Sequence, residues 1–576
     1  MTERTIAYFT MEIALASDLP TYSGGLGGLA GDTIQSAADL ELPIVAITLL
    51  HRKGYFTQEL DDAGNQTEKP VDWEPEAFLE EKPARTSVSI EGRTVQVRAW
   101  QYTVTGATGH EVPVYFLDTD LPENDEHDRG LSHQLYGGGD RYRLAQEVVL
   151  GIGGARILQE LGHEAIDRYH MNEGHAALLT LALLNRERDG EEASSSPTRE
   201  QVERVREQCV FTTHTPVPAG HDRFSMDLVA DVLNGPEADY SADLVRRVLA
   251  LDREERGESG TGGGTELNMT HLALSLSHYV NGVAKRHGEV SRLMFGDYPI
   301  DSITNGVHVG TWVSDPFRAL YDRHVPGWTE DSFSLRYALG IDGDEIWAAH
   351  QSAKQQLLDR VKSQTGVAMD DAVFTIGFAR RMTPYKRANL IFHNLDRLKA
   401  IADASGPLQL IFAGKAHPRD ENGKDIIRRI FAAKRELEGT IDIAYLPNYD
   451  KAETARMVAG VDLWLNTPEP PNEASGTSGM KAALNGVPQL STRDGWWLEG
   501  HIEGTTGWAF GSMPGEEASW EEDARSLYNQ LAHVILPKFY NGRSGYTDIM
   551  RHAIALNGSF FNTQRMVQEY VIKAYL

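Results

Sequence analysis

The sequence predicts an α/β protein whose strands are mostly parallel and buried, arranged as two successive strand–helix series. Short apolar runs rich in β-formers alternate with longer helical patterns along most of the chain, as in sheets covered on both faces. The 576 residues suffice for two or three domains, each with a core of its own. A helical pattern also stops at Gly366, directly before a fresh strand–helix series, which places a boundary near residue 365.

In chain order the predicted strands are Thr5–Thr10, Pro43–Leu49, Val112–Leu117, Val210–Thr213, Val373–Ala379, Leu408–Ala413, Thr440–Tyr445 and Val461–Asn466. The helix before the boundary is read from Ile346, His350, Ala353, Leu357 and Val361, which recur at helical spacing. The last segment, FFNTQRMVQEYVIKAYL, offers Thr563 as N-cap and puts Met566, Val567, Tyr570, Val571 and Ala574 on one face. Such a helix needs a surface to cover. The expected division is 1–365, 366–555 and a C-terminal helix, 556–576, that packs back across the junction. Arg188–Glu200 and Arg253–Glu266 are polar, rich in Gly, Ser and Glu, and read as solvated loops.

Charge narrows the partners. The chain carries 83 Asp and Glu against 55 Lys and Arg, a net −28. A field of that sign repels polyanions, so neither nucleic acid nor an acidic membrane is an expected partner. The single cysteine, Cys209, cannot form an internal disulfide, no Cys/His spacing matches a zinc site, and no signal peptide opens the chain. A cytoplasmic protein without a metal is the simplest expectation. The longest apolar runs, such as Pro43–Leu50, are far shorter than a membrane span.

Three motifs carry chemistry. Ser23–Gly31 (SGGLGGLAG) leads into a predicted helix. Successive glycines let backbone N–H groups approach an anion or a sugar oxygen, and a helix N-terminus adds a favourable dipole. Gly25–Ala30 satisfies G-x-G-x-x-A, but no strand immediately precedes it and no acid stands about 20 residues on, so a dinucleotide site is disfavoured. A plain tight turn stays open.

The second motif, Arg380-Arg381-Met382-Thr383-Pro384-Tyr385-Lys386-Arg387, follows a predicted strand, at the edge where open α/β sheets bind ligands. No acid occurs from Ala372 to Leu395. A solvated helix face would intersperse acids for i,i+4 pairing, so a phosphate or phosphate-ester site is the better reading.

The third, Asn472–Gly486 (NEASGTSGMKAALNG), follows the strand VDLWLNT. Its small residues open a helix that presents backbone donors to an anion, with the Thr477 hydroxyl added. Lys481 sits in the first turns of that helix among Ala and Met. A lone helical lysine is ordinarily a solvated charge. Beside apolar neighbours and a phosphate cradle it is also what a Schiff-base aldehyde cofactor needs, an amine that burial helps to deprotonate. His170 and His175 bracket Asn172 and Glu173, and His214 and His221 bracket the TPVPAG of THTPVPAGH. Their spacing fits no standard metal set, so hydrogen-bonding histidines at strand ends are expected.

Together these motifs resemble the α-glucan phosphorylase family. EASGTSGMKAALNG resembles its pyridoxal-phosphate lysine segment. YFTMEI (Tyr8–Ile13), GGLGGLAGD (Gly24–Asp32), NEGH (Asn172–His175), THTPV (Thr213–Val217), VNGVAKRHGEVS (Val280–Ser291), NGVHVGTW (Asn305–Trp312), FARRMTPYKR (Phe378–Arg387) and AGKAHP (Ala413–Pro418) occur in the family's order. The resemblance covers nearly the whole chain. It implies the GT-B architecture, in which two Rossmann-like domains face a catalytic cleft, the first holding glucan and phosphate and the second pyridoxal 5'-phosphate. It also implies a reaction: reversible phosphorolysis of the terminal α-1,4-linked glucose of glycogen, starch or maltodextrin by inorganic phosphate. Glucose 1-phosphate forms with retention, and the cofactor phosphate relays the proton.

Carried over by motif, Lys481 would bear the cofactor, and Arg381 and Lys386 would hold the substrate phosphate. Arg380, Thr477, the Ser478 backbone N–H, Tyr449 and Gly25 would line the cofactor and phosphate pocket. His214 through its carbonyl, Asn305, Glu473, Ser475, Gly476 and Gly24 would meet the glucosyl unit. Two phosphates brought together repel, so several cations and amide dipoles are required there. Members of the family often form homodimers, which is the expectation here.

Departures from the family pattern matter too. The chain opens almost at the first core motif, without the N-terminal extension of the regulated animal enzymes, so control by phosphorylation or nucleotide effectors is not expected. THTPVPAGHDRF replaces an acidic sequence after the histidine, and GTSG replaces GTGN before the lysine. The resemblance is thus to a compact bacterial or archaeal type. Two alternatives stand beside it: a nucleotide-sugar-dependent GT-B glycosyltransferase of the glycogen-synthase kind, which would not need Lys481 in a dry pocket, and a non-catalytic glucan-binding homologue, which has no use for adjoining phosphate sites.

Overall fold

The computed structural model describes residues 5–188, 196–217, 220–234, 240–256, 265–296, 298–513, 515–516 and 519–576. Two sheets organise them. The first has nine strands in the order Asp301–Ser302, Tyr279–Gly282, Cys209–Thr212, Ile166–Asn172, Thr5–Thr10, Ile44–Leu49, Glu111–Asp118, Arg93–Thr105 and Glu80–Ile90. It is parallel except at one edge, where the last two strands form an antiparallel hairpin. The second has six parallel strands in the order Ile443–Leu446, Leu408–Ala413, Phe374–Ala379, Leu463–Asn466, Gln489–Thr492 and Gly507–Phe510.

All eight predicted strands form, with ends moved by one to three residues where they move. They were readable because burial on both faces leaves unbroken apolar runs. The edge hairpin was not, since Glu80–Ile90 and Arg93–Thr105 carry charge on an outward face. The helix before the second sheet runs Gly343–Thr365 and ends on Gly366 at φ +72, a left-handed cap that glycine adopts without strain.

Three readings need correction. The glycine-rich segment does not lead into a helix; it largely is one, Gly25–Asp39. Its glycines answer to packing: a Cβ on Gly27 would lie 2.5 Å from the Tyr22 Cβ, and one on Gly31 2.0 Å from the Ala14 carbonyl oxygen. Gly31→Ala is therefore expected to cost about 1–3 kcal/mol in urea unfolding, despite alanine's better helix propensity. A neutral or stabilising result would mean that the contact relaxes freely. The C-terminal helix, Thr563–Tyr570, is capped by Asn562, whose side chain accepts the Arg565 N–H; Thr563 is its first residue. Of the two expected loops, residues 189–195 and 257–264 lie outside the described residues, and their flanks are helical, Arg199–Gln208 and Ala242–Glu255.

The C-terminal helix packs on the first sheet. Met566, Val567, Tyr570 and Ala574 join a core with Tyr8, Ile34 and Ala37, and Val571 packs against it. At the start of the second sheet, buried Asp462 binds His350 (2.8 Å) and Lys354 (2.6 Å) and accepts the Thr375 N–H (2.7 Å), tying the Gly343–Thr365 helix to the first strand it precedes.

A second tie spans the halves. The hairpin of Thr57–Leu60 and Gln66–Lys69 reaches the second sheet through amides. Gln58 bonds the Gly414 carbonyl (2.9 Å) and both accepts from and donates to Asn448 (2.9 and 3.2 Å). Gln66 likewise accepts the Ala416 N–H (3.0 Å) and donates to the Ala416 carbonyl (2.9 Å). Among the described residues, no helix is long and apolar enough to cross a membrane.

Candidate active site

Ligands of open parallel sheets sit beyond the carboxyl ends of the strands, where the strand order reverses. In the second sheet that point is Phe374–Ala379, which pairs with Leu408–Ala413 on one side and Leu463–Asn466 on the other. Arg380 and Arg381 follow it directly, and the Glu473–Lys481 segment follows its neighbour. In the first sheet the central strand Thr5–Thr10 leads to Glu12 and the glycine helix, while His214 and Asn305 stand just beyond Cys209–Thr212 and Asp301–Ser302.

The basic run divides by task. Arg387 faces inward: its guanidinium pairs with Asp523 (2.7 Å) and bonds the Thr467 and Pro468 carbonyls, a structural anchor. Arg380 (2.7 Å) and Lys386 both pair with the buried Glu473 carboxylate. Burial alone would raise the Glu473 pKa, but Arg380 and Lys386 outweigh it and hold that carboxyl at about 2. Arg381 makes no ion pair with any described residue and keeps an open surface. Desolvation opposes its charge, yet nearby Tyr385, Tyr55, Tyr136 and Glu12 raise its pKa above the ordinary arginine value.

Glu12 organises the facing wall. It accepts the backbone N–H groups of Ser23 (2.5 Å) and Gly24 (3.3 Å) and the Tyr136 hydroxyl (2.9 Å). A Cβ on Gly24 or Gly25 would meet nothing within 4 Å, so the helix start is open. Gly28 lies deeper, its missing Cβ 3.7 Å from the Lys481 Nζ of the other half.

Lys481 lies on the short helix Ser478–Leu484 and is 8% exposed. Its ammonium stands 3.6 Å from the centroid of the Trp312 ring, and Asp32 steadies that ring by accepting its indole N–H (2.7 Å). No described residue makes an ion pair or hydrogen bond to Nζ. Burial lowers the Lys481 pKa to about 8, Asp32 pulling it up and Lys451 pushing it further down. Thr477 accepts the Lys481 backbone N–H at its carbonyl (3.2 Å). The Ser478 hydroxyl accepts the Trp464 indole N–H (3.0 Å), so that side chain is engaged in holding the helix start. Tyr449 lies beside Arg380 and Thr454, with burial raising its hydroxyl to about 12.

Gly476 takes φ +86, where a Cβ would lie 3.3 Å from the Glu473 side chain, a turn that admits only glycine without strain. The Ser475 hydroxyl and the Asn305 side-chain oxygen are buried and have no partner among the described residues. Such atoms are costly unless something completes them. His214 is fixed on two sides, its ring Nε2 bonded to the Asn172 amide oxygen (2.6 Å) and its backbone N–H to Glu173 (2.8 Å). Burial depresses its pKa to about 4, so the ring is neutral and donates to Asn172. His170 bonds Tyr575 and Thr212, His221 bonds Thr270, and His175 faces Asp222.

Two largely parallel sheets, with cationic and glycine-rich segments at their strand ends, have the architecture of the GT-B class. Comparison with known proteins narrows this. The carbohydrate phosphorylase family matches residues 159–525. A maltodextrin phosphorylase of Thermococcus litoralis is 39% identical over 100% of this chain and 70% of its own. Glycogen phosphorylases of Mycobacterium tuberculosis and Aquifex aeolicus are each 35% identical, over 99% and 100% of this chain and 70% and 86% of theirs. The chain belongs to the carbohydrate phosphorylase family and is a glucan phosphorylase by function.

Proposed function

We propose that this chain is a pyridoxal 5'-phosphate-dependent α-1,4-glucan phosphorylase that splits terminal glucose from glycogen, starch or maltodextrin with inorganic phosphate. The observation that carries this is Lys481: a buried amine with a depressed pKa, free of ion pairs, against a glycine wall that leaves room beside it. Lys481, Thr477, the Ser478 N–H, Arg380, Tyr449 and Gly25 would hold the cofactor. When bound, its phosphate supplies a group that gives a proton to the substrate phosphate and takes it back.

Arg381 and Lys386 orient the substrate phosphate. Arg381 is the cation with no carboxylate to leave, whereas Lys386 and Arg380 share Glu473. Glu473, Ser475, Gly476, Asn305, His214 and Gly24 surround the glucosyl unit, the unpartnered Ser475 and Asn305 oxygens being ready for sugar hydroxyls. Charge that develops between two phosphates is stabilised by groups already in place. Under this reading residues 1–365 form the glucan and phosphate domain, 366–555 the cofactor domain and 556–576 the returning helix; the protein is cytoplasmic and homodimeric. A nucleotide-sugar transferase would leave the Lys481 amine without a task.

Glucose 1-phosphate released from maltoheptaose and inorganic phosphate is the deciding assay. Absence of any phosphate-dependent product across a panel of α-glucans would overturn the reading. Arg381→Ala should lower turnover on the order of 10²–10³-fold and raise the KM for phosphate, with glucan affinity little changed. Equal losses toward both substrates would mean that the phosphate lies elsewhere.

A further inference from the structure

The segment that carries Glu473 is clasped from behind by a turn that follows the strand Gln489–Thr492, the neighbour in the sheet of Leu463–Asn466. Asp494, 3% exposed, accepts the Glu473 backbone N–H on Oδ2 (2.8 Å) and the Gly495 N–H on Oδ1 (2.9 Å). Two residues on, the Trp496 N–H donates to the Ser475 carbonyl (2.9 Å). Between them Gly495 adopts φ +54 and passes so close that a Cβ would lie 2.4 Å from the same carbonyl oxygen. The turn and the segment therefore interlock at both ends of Glu473–Ser475.

We propose that Asp494 is a positioning residue for the glucosyl-binding segment, its carboxylate fixing the Glu473 backbone so that Glu473, Ser475 and Gly476 present their polar atoms to the sugar. The inference rests on the reading that this segment meets the glucosyl unit. Its electrostatics agree with a positioning task. Desolvation and the adjacent Glu473 raise the Asp494 pKa to about 7, while the two N–H bonds and Lys386 draw it down. A carboxyl buried beside another carboxylate weakens the fold unless its hydrogen bonds serve a purpose. Here one bond goes to the backbone of the glucosyl segment and one to that of the turn itself, and none to a cation.

The test uses the full-length holoprotein, with maltoheptaose and inorganic phosphate varied separately and thermal unfolding followed alongside. Asp494→Ala should cut kcat/KM for maltoheptaose about 10–100-fold, the scale of a small misplacement at a reacting centre, while the KM for phosphate stays nearly unchanged. Asp494→Asn, which keeps an acceptor for the Glu473 N–H, should recover part of that loss. Gly495→Ala, pushing on the Ser475 carbonyl from the other end, should reproduce the same split between substrates. Equal losses toward glucan and phosphate, an asparagine variant as poor as alanine, or an unchanged alanine variant would each overturn the proposal. A wild-type chain without turnover would overturn the phosphorylase reading instead. In that case calorimetric binding of maltoheptaose to wild type and variants still decides the role of Asp494: weaker binding in Asp494→Ala than in Asp494→Asn supports it, and equal binding in wild type and both variants rejects it.

Discussion

Lys481→Ala is expected to fold normally, to emerge without the absorbance of a bound pyridoxal group, and to lose phosphorolysis by at least about 10³-fold, as when the group that organises a whole site is removed. The expectation follows from how the amine is kept. Its pKa falls to about 8 through burial, and Trp312 and Gly28 close round it without offering a carboxylate. The neutral amine is the form that condenses with an aldehyde. Uptake of pyridoxal phosphate by cofactor-free wild type should therefore quicken as pH rises through about 8 and level off above it, whereas a solvated lysine would keep gaining to beyond about pH 10. Stopped-flow absorbance measures both the pH course and its loss in the variant. An active Lys481→Ala protein would remove the lysine from the mechanism.

Asp462→Ala is expected to carry the largest stability loss, about 3–5 kcal/mol, because it strips a buried ion pair of one partner. Asp462 satisfies Lys354, His350 and the Thr375 N–H at once, and none of these side chains reaches water. Its removal leaves the Lys354 amine buried with the Val373 carbonyl (2.8 Å) and the Phe539 ring (5.9 Å) and no carboxylate among the described residues. The sign of the pH dependence follows. Desolvation would raise the Asp462 pKa, but Lys354 and His350 bring it below the ordinary carboxylate value. The stabilisation is thus present above the unfolded carboxylate pKa and is lost as pH falls through the lower folded value. Urea unfolding at several pH values measures this. Lys354→Met combined with Asp462→Ala should recover much of the loss, since an apolar pair leaves no unpaired charge. A loss in Asp462→Ala below about 1 kcal/mol would mean that water reaches the cluster.

The second sheet was the most legible part of the chain. Leu408–Ala413 and Phe374–Ala379 are buried along their whole length, so nothing interrupts their apolar pattern. The edge hairpin escaped because alternating charge on its outer face hid its period. The site was legible as motifs but not as contacts. The acid-free run around Arg380 suggested cations kept for a phosphate, yet Glu473 reaches Arg380 and Lys386 from 93 and 87 residues away. Local sequence carries no trace of such a pairing, because adjacent strands of a crossover sheet bring distant loops together. Glu12, Trp312 and Asp494 were missed for the same reason: each acts on a partner from another motif, and only Glu12 and Trp312 lay within motifs that had drawn notice. The glycine run was misread because propensity argues against a helix there, whereas its Gly27 and Gly31 are needed inside one, where Tyr22 and Ala14 leave no room for a Cβ.

The Gln58 and Gln66 bridge sets the protein's response to salt. Dissolved ions screen the cations that capture phosphate and the many pairs on a surface of net −28. Neutral amides bonded to backbone offer those ions almost nothing to screen. Raising ionic strength should therefore weaken the capture of substrate more than it loosens the amide bridge, the Glu68–Lys424 pair (3.1 Å) on the same hairpin being the kind of contact that ions do screen.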